Sequence, residues 1–405
     1  MRLAARHGTP LYVYDAETIR AAYRSYLRAF RAYRPIRISY AVKACALIGV
    51  ASVIAKLGAD ASAASMGEVL AARRAGFPAE RIQLHGNAKT DDELRAALRA
   101  GVGRIVIDGA DEIAALARLV RRRSEPQRVW LRVSPGITSD THEHMRTGAL
   151  DSKFGAPLAT GDALAQARAI VATPGLRLVG VHAHLGTELH EADRYRELAD
   201  LLIAFARELR PLGARVNEIG LGGGLKIPTR AEDHVLPLRE YAEAVGPAVR
   251  AAGDLRATIY LEPGRSLVGR SGVALYRVVG TKRVPGVRTF VSVDGGMGDN
   301  IRPALYGAAY TALVADRASA PAEEEVAIAG SYCESGDLLI RSVALPTPRR
   351  DEVLAVPGSG AYAVAMASNY NHHVRPAVAL IDDGRARIVR KRETYADIWR
   401  LERRS

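Results

Sequence analysis

Several residue types that can do chemistry follow short apolar stretches of this sequence. Lys43 is the last residue of the alternating stretch IRISYAVK. His85 lies near the end of RIQLHG, and His182 and His184 lie near the end of LRLVGVHAHLG. A lysine at a strand end has an ordinary explanation, because lysines commonly mark where a strand reaches water. A lysine held at the mouth of a barrel can instead form a Schiff base with a carbonyl compound. Lys43 alone leaves both interpretations open.

Two further motifs follow apolar stretches of the same kind. One is a triple glycine at Gly222 to Gly224, and the other is EPGR at Glu262 to Arg265. A triple glycine lets backbone N–H groups approach a phosphate closely, although an isolated triple glycine more often marks a tight turn. Glu262 alone could be one half of a surface salt bridge. An amine, a phosphate loop and a carboxylate on one rim, however, are together what pyridoxal phosphate needs for its aldehyde, phosphate and ring nitrogen.

The elements that would position these residues form a repeated pattern. From residue 36 to residue 264, short β-branched stretches alternate with longer stretches of helical periodicity, which is typical of a parallel sheet with crossover helices. About eight such units favour a (β/α)8 TIM-type barrel, in which the C-terminal strand ends meet at one mouth. The predicted strands lie in IRISYAVK, ADASAAS (the weakest), RIQLHG, RIVIDG, RVWLRVSPG, LRLVGVHAHLG, VNEIGLGGG and ATIYLEPG.

The pattern changes after Arg265, where closely spaced strands follow one another with few helical stretches. The segments VALYRVVGTKRV, RTFVSVDGG, EEVAIAGSY and EVLAVPG predict a mainly β C-terminal domain. We therefore expect a barrel over residues 36–265 and a β domain over 266–405. An N-terminal strand and helix over residues 1–35 are expected to pack with the β domain.

Composition limits the possible partners. The net charge is +13, but the arginines are spread over amphipathic helices such as TIRAAYRSYLRAFRAYR, so we expect no nucleic-acid partner. No run of about 18 uncharged apolar residues is present, which predicts no membrane partner. The N-terminus lacks a secretory apolar core, which indicates a cytoplasmic protein. Cys45 and Cys333 are too far apart in sequence to form a metal-ligand pair, so free thiols and no metal are expected.

The ordered motifs of the chain resemble those of the diaminopimelate decarboxylases, a family of alanine-racemase-like (fold-type III) pyridoxal phosphate enzymes. The similarity runs from about Pro10 to KRETY near the C-terminus. The motifs that carry it include YAVKA, GEVLAARRAGFP, HAHLGTE, LGGGLKIP, EPGR, VDGGMGDNIRPALYGA, YCESGDLL and GAYAVAMASNYN.

This resemblance implies a cofactor site in which Lys43 carries pyridoxal phosphate covalently. His184 would stack on the face of the pyridine ring, and Glu262 would pair with the ring nitrogen. The carboxylate favours decarboxylation, because racemases of the group tend to have an arginine there. The groups implied for the phosphate are Gly222, Gly223, Gly224, the backbone of Gly264 and Arg265, and the Tyr362 hydroxyl.

The resemblance also implies the reaction, which is decarboxylation of meso-2,6-diaminopimelate to L-lysine and CO2, the last step of lysine biosynthesis. The distal end of this substrate carries a carboxylate and an ammonium, which suit arginines and Glu334 respectively. Cys333 would act as a proton donor to the reacting carbon, and two chains would share their active sites in a homodimer. The residues implied to bind the substrate are Arg265, Arg302, Tyr306, Glu334 and Tyr362.

Four positions depart from the usual family pattern, and two alternative functions stay open. The departures are Cys45, Ser62, Ala88 and Lys226. One alternative is a related decarboxylase acting on ornithine, arginine, a carboxylated polyamine or carrier-bound glutamate. The other is a non-catalytic pyridoxal phosphate-binding protein, although such single-barrel proteins would lack the β domain and the CESGD stretch.

Overall fold

A computed structural model describes residues 1–121, 123–137 and 152–403. These residues form two compact units. The first, called the barrel unit below, comprises Arg20–Lys226 and His234–Ser266. The second, called the β unit, comprises Met1–Ile19, Ile227–Asp233 and the chain from Leu267.

The N-terminal segment contributes to both units. Its elements are α1 (Arg2–His7), β1 (Leu11–Asp15) and α2 (Ala16–Ala29). Strand β1 belongs to the β unit, whereas α2 lies in the barrel unit from Arg20 onward. The Phe30 ring, just beyond α2, packs 5.4 Å from that of Tyr241 in the barrel unit. The expected packing of residues 1–35 with the β domain and the domain boundaries at residues 35 and 265 stay predictions.

The barrel unit is built on a closed sheet of eight parallel strands, so the predicted (β/α)8 barrel is confirmed. The strand order is β5-β4-β3-β2-β10-β9-β8-β6, and pairing of β5 with β6 closes the ring. These strands are β2 (Ile36–Ala41), β3 (Asp60–Ala63), β4 (Ile82–Leu84), β5 (Arg104–Ile107), β6 (Gln127–Ser134), β8 (Leu176–His182), β9 (Glu218–Gly220) and β10 (Thr258–Leu261), with a two-residue strand β7 (Ala156–Pro157) beside β6.

Helices connect the barrel strands, and local sequence signals define their ends. Thr90 begins α5 in a capping box with Glu93, and Gly101 ends it in the left-handed conformation. Ser65 begins α4 by accepting the Glu68 N–H with its side chain, and Gly76 ends the helix in the left-handed conformation. The helices are α3 (Ile48–Lys56), α4 (Met66–Ala75), α5 (Asp91–Ala100), α6 (Ala110–Val120), α7 (Asp162–Ala172), α8 (Ala192–Glu208), α9 (Leu238–Ala251) and the short α10 (Arg265–Val268).

The barrel interior is packed rather than hollow. Trp130 is fully buried among Val106, Val179 and Tyr260. Its indole N–H donates to Glu218 Oε2 at 2.6 Å, and the Arg104 guanidinium donates two hydrogen bonds to the same carboxylate. Buried polar groups need hydrogen-bond partners, and this network supplies them for the charged side chains of Arg104 and Glu218 inside the barrel.

The β unit contains a second sheet of nine strands, as the mainly β pattern predicted. Its main order is β15-β14-β12-β11-β1-β17-β18, and β16 pairs with both β11 and β13. The strands are β11 (Gly272–Val284), β12 (Arg288–Val293), β13 (Leu313–Val314), β14 (Glu324–Ala329), β15 (Leu338–Leu345), β16 (Val353–Pro357), β17 (Ala377–Asp382) and β18 (Arg385–Arg390), with helices α11 (Arg302–Tyr306) and α12 (Tyr395–Trp399). Among the residues described, no helix combines the length and apolar character needed to cross a membrane.

Candidate active site

Lys43 lies just beyond a barrel strand, as the sequence predicted. Strand β2 ends at Ala41, and Lys43 is the middle residue of a single 3-10 turn with its side chain exposed. The N–H of Ala41 donates to the Pro263 carbonyl at 3.1 Å. A Cβ on Gly264 would lie 3.0 Å from the Cβ of Ala44. The turn that carries Lys43 is therefore packed directly against the EPGR turn.

Glu262 is buried between two histidines. It follows β10 and is 8% exposed. Its Oε2 lies 3.1 Å from Nε2 of His182, in a hydrogen bond, and its Oε1 lies 3.2 Å from Nε2 of His85. Burial alone would raise the pKa of Glu262, but the two histidines outweigh it and hold that pKa well below its usual range. Burial also lowers the pKa of His182 to about 4. At neutral pH the site thus holds an ionised carboxylate beside a neutral His182.

His184 is held by the glycine loop. The N–H of Gly223 donates to its Nδ1 at 3.3 Å, so the neutral ring carries its proton on Nε2. Burial, together with the positive charges of Lys43 and Arg132, lowers the pKa of His184 well below its usual value. An uncharged imidazole with a fixed tautomer suits stacking on an aromatic ring.

The triple glycine has no space for side chains. A Cβ on Gly223 would lie 2.1 Å from the Glu262 carbonyl oxygen, and one on Gly224 would lie 2.3 Å from that of Gly186. Gly222 and Gly224 also have positive φ angles of 65° and 107°, which favour glycine. The carbonyl of Gly222 accepts the Glu262 N–H at 2.8 Å. Backbone contact between the ends of β9 and β10 therefore requires this motif.

Arg265 is buried and contacts the loop that follows His184. Its guanidinium lies 3.5 Å from Glu188 Oε1 and 3.3 Å from Thr187 Oγ1. A charge-assisted contact of this kind holds the guanidinium in a set orientation at the end of the barrel.

In the β unit, helix α11 carries two of the residues expected to bind substrate. Arg302 begins this helix and is 2% exposed, and its Nη1 donates to the Tyr310 hydroxyl at 2.8 Å. Tyr306, the last residue of the helix, is half-buried.

The other expected residues of the β unit lie in loops. Cys333 and Glu334 are exposed after β14. The Cys333 N–H donates to Asn371 Oδ1 at 3.1 Å, and the Tyr370 hydroxyl donates to the Glu334 carboxylate. Tyr362 has a φ of 60°, an uncommon conformation for a bulky residue that requires support from the surrounding structure.

The structure thus brings one set of the predicted residues to the C-terminal ends of the barrel strands, while their roles stay predictions. This set is Lys43, His184, Gly222, Gly223, Gly224, Glu262, Gly264 and Arg265. Sequence reasoning placed His85 and His182 at strand ends but gave them no partner, so it missed their contacts with Glu262. The sequence signal that could have indicated these contacts was the position of His85 directly after β4 and of His182 at the end of β8.

The sequence is similar to characterised decarboxylases over almost its whole length. The family described as "Pyridoxal-dependent decarboxylase, pyridoxal binding domain" matches residues 16–269. The diaminopimelate decarboxylase of Bacillus subtilis is 41% identical over 99% of this chain and 92% of its own. That of Actinosynnema pretiosum is 43% identical over 99% of this chain and 90% of its own.

Solved structures of diaminopimelate decarboxylases are also similar to this chain. Diaminopimelate decarboxylase from Helicobacter pylori, complexed with L-lysine, matches with a TM-score of 0.92 and 30% identity over 99% of this chain and 98% of that one. The M. jannaschii enzyme, also with L-lysine, gives a TM-score of 0.94 and 31% identity over 100% and 94%. The lysine/ornithine decarboxylase of Vibrio vulnificus shares the fold, with a TM-score of 0.80 and 20% identity over 94% and 96%. The chain belongs to the diaminopimelate decarboxylase family of pyridoxal-dependent decarboxylases.

Proposed function

We propose that the protein decarboxylates meso-2,6-diaminopimelate to L-lysine and CO2, with pyridoxal phosphate as its cofactor. The observation that carries the proposal is the buried, ionised Glu262 carboxylate, whose strand end is packed against the turn of Lys43. The relatives named above act on diaminopimelate by name, and two of their structures hold L-lysine, the product of this reaction.

The residues at the barrel mouth fit the cofactor. Oε1 of Glu262 is buried and accepts no hydrogen bond of good geometry from the described residues, although Nε2 of His85 lies 3.2 Å away. It can therefore accept the N–H of a pyridinium ring. The glycine loop has no room for side chains, so backbone N–H groups are the donors it can offer a phosphate, although that of Gly223 donates to His184 in this structure. Lys43 supplies an exposed amine two residues beyond the strand that neighbours β10.

Each expected residue would hold one part of the cofactor. Lys43 would hold it covalently through its aldehyde. His184 would support the face of its ring. The phosphate would be bound by Gly222, Gly223, Gly224, the backbone of Gly264 and Arg265, and the Tyr362 hydroxyl.

Glu262 would make the main electrostatic contribution to stabilising the transition state. When bound, the cofactor supplies a conjugated ring that accepts the electron pair left at Cα as CO2 departs. Glu262, as an anion, keeps a proton on the ring nitrogen and so stabilises the negative charge that develops in the transition state. Cys333 then donates a proton to Cα.

Substrate choice would depend on the distal end. Arg265 and Arg302 bind the distal carboxylate, Glu334 binds the ammonium, and Tyr306 and Tyr362 line the same end. Ornithine lacks the distal carboxylate, so it cannot make the charge-assisted bonds that Arg265 and Arg302 would offer that group. We infer a homodimer in which Cys333 and Glu334 complete the partner's site. The cytoplasmic location stays a prediction.

One assay tests the proposal. CO2 release is measured with meso-diaminopimelate, ornithine, arginine and lysine, on the purified protein supplied with pyridoxal phosphate and on Lys43→Ala. We expect turnover of diaminopimelate that exceeds the other three by at least a hundredfold and is lost in Lys43→Ala. Equal rates on ornithine would replace the proposal with a diamine-forming decarboxylase. Cofactor binding without CO2 release from any substrate would indicate a non-catalytic binding protein.

A further inference from the structure

The two histidines beside Glu262 have no role in the reaction described above. His85 follows β4, His182 ends β8, and both are buried. Each directs its Nε2 toward a different oxygen of the same carboxylate, at 3.2 and 3.1 Å. Two imidazoles from different strands therefore converge on the carboxylate that is proposed to meet the ring nitrogen.

The surroundings fix these imidazoles in place. The His182 ring stacks on the Trp130 indole at 6.2 Å with an interplanar angle of 16°. A Cβ on Gly220 would lie 2.7 Å from His182 Cδ2, so only glycine leaves space for the ring. The His85 ring meets His182 edge-on at 4.7 Å. This packing keeps both Nε2 atoms directed at the carboxylate.

Burial and the charges around Glu262 favour a neutral His182 that acts as a donor. The other titratable groups that interact electrostatically with this cluster include Lys43, Arg132, His184 and Tyr241. Burial, together with His85 and the positive charge of Arg132, disfavours imidazolium at His182. A neutral imidazole that donates Nε2–H still stabilises the anionic carboxylate, and hydrogen bonding to the charged form lowers the affinity of a carboxylate for protons.

We propose that His85 and His182 are positioning residues that hold the shared proton on the cofactor's ring nitrogen rather than on Glu262. The inference rests on the proposed function, because it assumes that Glu262 faces this nitrogen. A proton shared between two groups resides on the one that binds it more tightly. By weakening proton binding at the carboxylate, the hydrogen bond from His182 and the His85 imidazole beside the other oxygen keep the ring cationic, which is the form that withdraws electrons from Cα.

The test follows the ring nitrogen itself. The full-length protein is loaded with pyridoxal phosphate labelled with ¹⁵N in the ring, and the ¹⁵N chemical shift is recorded at pH 8 without substrate. His182→Phe keeps a flat ring against Trp130 but removes the donor, and His182→Gln restores an N–H near the Nε2 position. His234→Phe, in an exposed part of the barrel unit, is the matched control.

We expect a pyridinium shift in the wild type, in His234→Phe and in His182→Gln. His182→Phe, and more strongly the double variant with His85→Phe, should move the signal toward neutral pyridine and weaken cofactor binding about tenfold. A pyridinium shift that persists in the double variant would overturn the inference and leave the decarboxylase proposal intact. A wild type that takes up no cofactor at Lys43 would instead overturn the proposed function. If the Phe variants do not fold, the same comparison is made with His182→Gln and His182→Asn, because the shorter Asn side chain cannot reach the carboxylate. Equal ¹⁵N shifts in those two variants would also overturn the inference.

Discussion

The backbones of Gly223 and Glu262 are in such close contact that a Cβ on Gly223 would lie 2.1 Å from the Glu262 carbonyl oxygen. Gly223→Ala must therefore separate the ends of β9 and β10, where the proposed phosphate loop and carboxylate lie. We expect at least tenfold weaker pyridoxal phosphate binding and a loss of about 1–3 kcal/mol in the free energy of unfolding. Gly253→Ala is the control, because nothing lies within 4 Å of its Cβ position. Equal cofactor affinity in both variants would contradict the prediction.

Arg302 should determine substrate preference. Arg302→Met keeps much of the side-chain volume but removes the charge proposed to bind the distal carboxylate. The ratio of kcat/KM for diaminopimelate to that for ornithine should fall at least tenfold. Tyr310→Phe, which removes the hydroxyl that Arg302 contacts, is the control and should mainly cost about 1 kcal/mol of stability. An equal loss on both substrates in Arg302→Met would mean that the arginine only supports the fold.

Asp299 should make stability depend on pH. This buried carboxyl has its pKa raised to about 7, chiefly by burial, from an unfolded value near 3.8. Its contribution to stability is therefore fully present below pH 4 and is lost as the pH rises to about 7. Asp299→Asn cannot ionise and so does not lose stability in this way. The free energy of unfolding of Asp299→Asn, relative to wild type, should therefore rise by up to about 1.4 kcal/mol per pH unit across that range. Urea unfolding at several pH values measures the difference, and a constant difference would refute the assignment.

Ala88 should be a weak point of the fold. Its φ of 54° is left-handed, a conformation that favours glycine or asparagine. We expect Ala88→Gly to raise the free energy of unfolding by about 0.5–1 kcal/mol. The same change at Ala114, exposed inside α6, should lower it by about 1 kcal/mol. Thermal unfolding of both variants tests the contrast, and a destabilised Ala88→Gly would count against it.

The proposed dimer predicts complementation between two inactive variants. If Glu334 acts in the partner's site, Lys43→Ala and Glu334→Ala chains that are dissociated and reassociated together should form mixed dimers with one intact site. Random pairing makes half the dimers mixed, so activity should recover to about a quarter of the wild-type value per chain. Recovery no greater than the activity of the separate variants would place both residues in the same chain's site.

Much of the candidate site could be predicted because strand ends carry it. Lys43, His184 and Glu262 each follow an apolar stretch, and a parallel barrel brings such ends to one mouth whatever their distance in sequence. The position of α2 could not be predicted as well. Its amphipathic pattern shows that one face is buried but not which partner covers that face, and the structure places Phe30 against Tyr241.

The sequence by itself determined the barrel, the mainly β region and the chemical types available at the mouth, because strand and helix periodicity are local properties of the chain. Only the tertiary structure decided the pairing of Glu262 with His182, which lies 80 residues away, and with His85. Those contacts depend on the order and register in which eight strands close, and on Gly220 leaving space for one ring beside Trp130. Such distances are set by packing across the whole barrel, and no short segment encodes them.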